Sequence, residues 1–116
     1  MALLMAATAC KTPKLKTARE QLARGEYYAA SQTYRKVYNK LTRKEDRPLR
    51  GEVAYEMAGC YRKLSMAARA AAAYQNAIRY EYPDSAAYYW LGRSLQADGK
   101  YQPAIEAYTQ YLMWKP

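Results

Sequence analysis

The 116-residue chain contains neither histidine nor phenylalanine. Without histidine it lacks the side chain that most often acts as a general base near neutral pH and most often ligates zinc. Cysteine is scarce too. Cys10 and Cys60 stand alone, in neither a CxxC pair nor a zinc-finger spacing. No GxSxG elbow raises a serine nucleophile, and no glycine-rich loop cradles a phosphate. No apolar run reaches the roughly 18 residues a membrane-spanning helix needs. These absences argue against an enzyme and leave no residues for a metal or cofactor.

What is present is alanine, tyrosine and positive charge. Fourteen tyrosines occur, and just over half of all residues are apolar or tyrosine, enough to bury the core of one domain. The net charge of +9 is lopsided. Residues 11–50 hold twelve Lys/Arg against four Asp/Glu, whereas 51–116 hold seven against six. A basic face of this kind steers a protein towards acidic partners or anionic headgroups.

The chain also repeats. The segment YYWLGRSLQADGKYQPAIEAY, Tyr88 to Tyr108, aligns with the segment 34 residues earlier. Leu91 falls on Met57, Gly92 on Ala58, Leu95 on Tyr61, Gly99 on Ser65, Ala104 on Ala70 and Tyr108 on Tyr74. One step further back the interval becomes 40, with six extra residues near TRKEDRPLRG, and Gly25, Tyr27, Ala30 and Tyr34 take the same stations.

Each unit carries two bursts of apolar residues at helical spacing, separated by a short turn such as Ala-Asp-Gly-Lys. The glycine in that turn suits a left-handed residue ending the first helix. Thr12-Pro13, Arg47-Pro48 and Pro83-Asp84-Ser85 are start signals. No stretch alternates like a strand. The pattern predicts six helices near 13–24, 27–41, 48–64, 67–81, 85–98 and 101–115, paired as three antiparallel hairpins. Ala30, Ala70 and Ala104 are expected at the tight crossings, with Tyr34, Tyr74 and Tyr108 one turn later filling the space towards the next unit.

The pattern L-G-x₆-G-x-Y-x₂-A-x₃-Y, read from Leu91, Gly92, Gly99, Tyr101, Ala104 and Tyr108 with Pro116 beyond, resembles the tetratricopeptide repeat. The middle unit matches through Met57, Ala58, Tyr61, Ala70, Tyr74, Ala77 and Pro83. The first matches in its second half, Thr17-Ala18 replacing Leu-Gly. The resemblance implies an all-α fold of three hairpins, about 12–45, 51–84 and 85–116, stacked as a right-handed α-solenoid. It implies that the first helix of each pair lines a groove for a protein or peptide. Carried over by position, the groove residues are Leu15, Arg19 and Leu22, then Tyr55, Gly59, Arg62 and Lys63, then Tyr89, Arg93 and Gln96. Four cations along one wall with tyrosine platforms between them suit an acidic or C-terminal peptide segment. The paired asparagines of the chaperone-type carboxylate clamp are missing from these positions. Interleaved arginine and tyrosine also suits stacking on single-stranded RNA, but the tyrosines fall on core stations of the repeat, which favours a protein partner over nucleic acid.

The opening MALLMAATACK is a separate piece. Its apolar run followed by Thr8-Ala9-Cys10 resembles a lipoprotein signal segment, 1–10, ahead of a repeat domain at 11–116. The resemblance implies that the Cys10 thiol carries the lipid, with Lys11, Lys14 and Lys16 beside the headgroups. The charged start of a signal peptide is absent, and the alternative is a soluble cytoplasmic adaptor or co-chaperone. Together with the joint IRYEYPD, the arrangement resembles the N-terminal repeat domain of Bacteroidota outer-membrane lipoproteins of the repeat, β-propeller and OmpA-like type. These include the PorE-like component of type IX secretion. That implies a scaffold on the periplasmic face of the outer membrane and a longer chain. The run Tyr111-Leu112-Met113-Trp114 carries no polar cap, so the last hairpin is expected to expose an apolar flank open to further sequence, a partner or a second copy.

Overall fold

The computed structural model describes residues 13–115. The signal segment, Cys10, Lys11 and Pro116 lie outside the described residues. Six α-helices follow in order: α1 (Pro13–Ala23), α2 (Tyr27–Lys40), α3 (Arg47–Lys63), α4 (Ala67–Arg79), α5 (Ala86–Ala97) and α6 (Tyr101–Met113). Among the described residues there is no strand, and no helix is long and apolar enough to cross a membrane. Each helix packs chiefly on its neighbours in the chain, and the body measures 46 × 31 × 21 Å. The fold is all-α.

The ends of these helices follow from local chemistry. Pro13 and Pro48 occupy first turns, where a missing N–H breaks no helical bond. The Ala86 N–H, at the start of α5, donates to Asp84 Oδ1 at 2.9 Å. Gly25 and Gly99 close α1 and α5, each at φ +76°. Ser65 closes α3 at φ +58°, although it carries a side chain. In all three turns the next residue donates its N–H to the carbonyl five residues back: Glu26 to Gln21 at 2.9 Å, Met66 to Tyr61 at 2.9 Å, Lys100 to Leu95 at 2.8 Å. Glu81, at φ +61°, repeats the motif after α4, with Tyr82 donating to Ala77 at 3.0 Å. The joint after α2 is different. There the inserted segment includes a three-residue 3-10 turn, Lys44–Asp46, an element the spacing did not predict.

Close approach sets the packing. Ala18, Ala30, Ala58 and Ala70 are wholly buried, and Ala104 nearly so. Gly92 admits the Tyr108 ring so closely that a Cβ there would lie 2.6 Å from Cε1. Tyr34 and Tyr74 are the largest fully buried side chains, at 0% and 1% exposure. Tyr34 keeps its hydroxyl satisfied by donating to Glu56 Oε1 at 3.1 Å, and burial pushes its pKa well above the ordinary phenol value. Tyr108 packs back onto α5 and is only half-buried, unlike its two counterparts. Cys60 is a buried thiol whose pKa burial pushes up to about 11, which makes it inert at neutral pH. Tyr101, Ile105, Leu112 and Met113 on α6 are exposed.

Candidate functional site

The residues carried over from the repeat pattern lie on α1, α3 and α5. Leu15 is buried and Leu22 half-buried in the core, so neither offers a polar contact. Gly59 faces open space, with nothing within 4 Å of where a Cβ would stand. Lys63 is exposed at the end of α3, and Gln96 is exposed on α5. The remaining five form two groups.

Arg19 belongs to the first. Its Nε donates to Glu56 Oε1 and its Nη2 to Glu56 Oε2, both at 2.9 Å, a bidentate pair, and the same Nη2 reaches Glu52 Oε1 at 2.9 Å. Hydrogen bonding to Glu56, reinforced by the two carboxylate charges, holds the guanidinium above its ordinary pKa. This cation is therefore compensated by two acids one turn apart on α3.

Tyr55, Arg62, Tyr89 and Arg93 form the second group. The Tyr55 ring stacks on Tyr82, with centroids 4.1 Å apart and planes 9° from parallel, and meets Tyr74 edge-on at 5.6 Å. Desolvation raises the pKa of Tyr55 and lifts that of Tyr82 to about 12, so both phenols are neutral under ordinary conditions. The Arg62 guanidinium lies 3.9 Å over the Trp90 indole, and its Nε donates to the Tyr74 hydroxyl at 3.2 Å. Such a stack contributes about 1 kcal/mol at a half-exposed site. One turn of α5 brings Arg93 Nη1 to the Tyr89 hydroxyl at 3.0 Å. Tyr89 in turn meets Trp90 edge-on at 5.0 Å and Tyr111 at 5.5 Å. Among the described residues neither Arg62 nor Arg93 is paired with a carboxylate.

Between these two arginines opens a cleft of about 400 Å³, lined by Arg62, Ser65, Ala70, Trp90, Arg93 and Ser94 among others. An adjoining hollow runs from Arg93 to Tyr89 and Tyr108. The Ser94 hydroxyl, on a residue 4% exposed, is buried without a hydrogen-bond partner. The cleft thus combines cations, an aromatic wall and an unused hydroxyl, a set suited to holding an anion. No cluster of acidic or cysteine side chains among the described residues could hold a metal ion.

Five side chains escape a reading by repeat position. Glu52 and Glu56 stand on the groove face but acquire their role only through Arg19, 37 residues away from Glu56. Trp90 and Ser94 were detectable, since they share a helix face four residues apart and flank Arg93. The Tyr74 hydroxyl, whose ring is a core residue, gave no signal at all.

No protein-family model matches the chain, and no curated protein matches it.

Proposed function

We propose that this chain is a tetratricopeptide-type domain, three helical hairpins stacked as a right-handed α-solenoid, that serves as a non-enzymatic protein–protein interaction scaffold. Its first-helix face takes an acidic or C-terminal peptide segment of a partner subunit. Consecutive helix packing and the recurrence of one turn geometry at Gly25, Ser65 and Gly99 support the solenoid. The observation that carries the binding role is the pair Arg62 and Arg93, each oriented by a tyrosine oxygen and neither neutralised by an acid. Fixed, uncompensated guanidinium groups beside aromatic surface are what a carboxylate-bearing peptide requires. On this reading the domain is lipid-anchored through Cys10 at the periplasmic face of an outer membrane, within a secretion assembly. The signal-like run ending at Cys10 supports the anchor, and the binding role stands without it.

Fluorescence anisotropy with labelled acidic, neutral and basic decapeptides tests the binding role. Acidic peptides are expected to bind, to weaken with added salt, and to be lost in the Arg62→Glu, Arg93→Glu double variant while its helical circular dichroism persists. Equal binding of all three peptide classes, or unchanged affinity in the double variant, contradicts it. Palmitate-analogue labelling compared with Cys10→Ala tests the anchor.

A further inference from the structure

Arg62 and Arg93 are held in an unusual way. A guanidinium uses its face to stack on a ring and its in-plane N–H groups to donate hydrogen bonds. Arg62 has its face on Trp90 and its Nε on the Tyr74 hydroxyl, which leaves the Nη1–Nη2 edge as its free fork. Arg93 spends Nη1 on Tyr89 and keeps Nε and Nη2. Both anchors are phenol oxygens rather than carboxylates, so each arginine is fixed in direction without a compensating acid.

The residues border one cleft of about 400 Å³. The same wall includes Ser94, 96% buried by its 4% exposure, whose hydroxyl has no partner. A buried hydroxyl left unpaired carries a desolvation cost that a bound acceptor would relieve. The other clefts offer less. The hollow at Arg19 is lined by Glu52, one of the two acids that already pair with that arginine. The one at Arg35 and Arg69 has two cations but no buried polar atom without a partner.

We infer that the cleft between α3 and α5 is a carboxylate-anchoring subsite, in which the free edges of Arg62 and Arg93 and the Ser94 hydroxyl donate to a single carboxylate group beside the Trp90 indole. The ligand chemistry is a carboxylate, supplied by an aspartate or glutamate side chain or by a chain terminus. A planar two-oxygen acceptor matches the end-on fork of Arg62. This inference rests on the peptide-binding reading and specifies where on that face the peptide is gripped.

Three dipeptide probes test it by nuclear magnetic resonance. N-acetyl-Ala-Glu-amide carries a side-chain carboxylate, N-acetyl-Ala-Gln carries a terminal one, and N-acetyl-Ala-Gln-amide carries none. At constant ionic strength, at least one carboxylate probe is expected to move the Arg62 and Arg93 Nε–H and Trp90 indole N–H signals saturably. The neutral probe should leave them in place. Which carboxylate probe binds more tightly assigns the source. Arg93→Gln, at an exposed helical position, should weaken binding at least fivefold, and Ser94→Ala about threefold. Arg19→Gln should leave the probe affinity within twofold. Should Arg62→Gln unfold, Arg93→Gln and Ser94→Ala carry the test. Shifts equal for the neutral probe, shifts that do not saturate, or affinity unmoved by Arg93→Gln overturn the subsite. The longer acidic peptides separate the two conclusions. If they bind while the probes do not, the subsite fails and the peptide-binding role survives. If the probes bind and no peptide does, the subsite stands and the role is refuted.

Discussion

Glu56 on α3 and Trp90 on α5 are 34 residues apart and occupy the same station of the repeat. Each faces an arginine of the preceding first helix, yet the outcomes differ. Glu56 takes Arg19 in a bidentate ion pair, helped by Glu52 one turn earlier. Trp90 takes Arg62 as a cation over its ring at 3.9 Å. A carboxylate orients an arginine and cancels its charge, while an indole orients it and leaves the charge available. One backbone arrangement thus produces a charge-compensated joint between α1 and α3 and one between α3 and α5 whose guanidinium charge stays uncompensated.

The largest expected effect comes from filling the uncompensated joint. Ala70 is wholly buried and lines its cleft, so Ala70→Leu should cost about 1–3 kcal/mol by overpacking. It should also abolish acidic-peptide binding. Denaturant melts and anisotropy on the same sample check both, and a stable variant with full binding would mean that the crossing is looser than described. Next in size is conversion of one joint into the other. Trp90→Glu places an acid where α3 has Glu56, so Arg62 should become ion-paired and peptide affinity should fall about tenfold, roughly 1.4 kcal/mol. Undiminished affinity would show that charge compensation does not distinguish the two joints. The smallest effect concerns the turn beside the cleft. Ser65 has φ +58° where its counterparts are Gly25 and Gly99. Ser65→Gly should therefore stabilise the fold by roughly 0.5–1 kcal/mol, as read from a thermal melt.

The helices were legible because 3.6-residue periodicity and turn chemistry are local. Every predicted helix lies within two residues of its observed bounds, and the Gly25 and Gly99 turns behave as their composition required. The 3-10 turn at Lys44–Asp46 was not legible, because the insertion that forms it has no counterpart elsewhere in the chain. Nor was the left-handed Ser65, whose conformation is imposed by the hairpin against its own preference. At the site, repeat position located Arg19, Arg62 and Arg93 on the first helices, but it treated them as equivalent cations. Their difference depends on which side chain faces them from the next hairpin, a contact across some thirty residues that helical periodicity does not encode. The phenol oxygens of Tyr74 and Tyr89 are hidden for a similar reason. Pattern reading scores those rings as packing, and their hydroxyls act only at the ring's far end.

Single neutralisations of Arg19 and Arg62, read against one acidic decapeptide at low salt, measure the difference between the joints most directly. Arg62→Gln should weaken binding about tenfold, and Arg19→Gln should leave it within twofold. Equal losses in the two variants, or a larger loss at Arg19, would contradict the account.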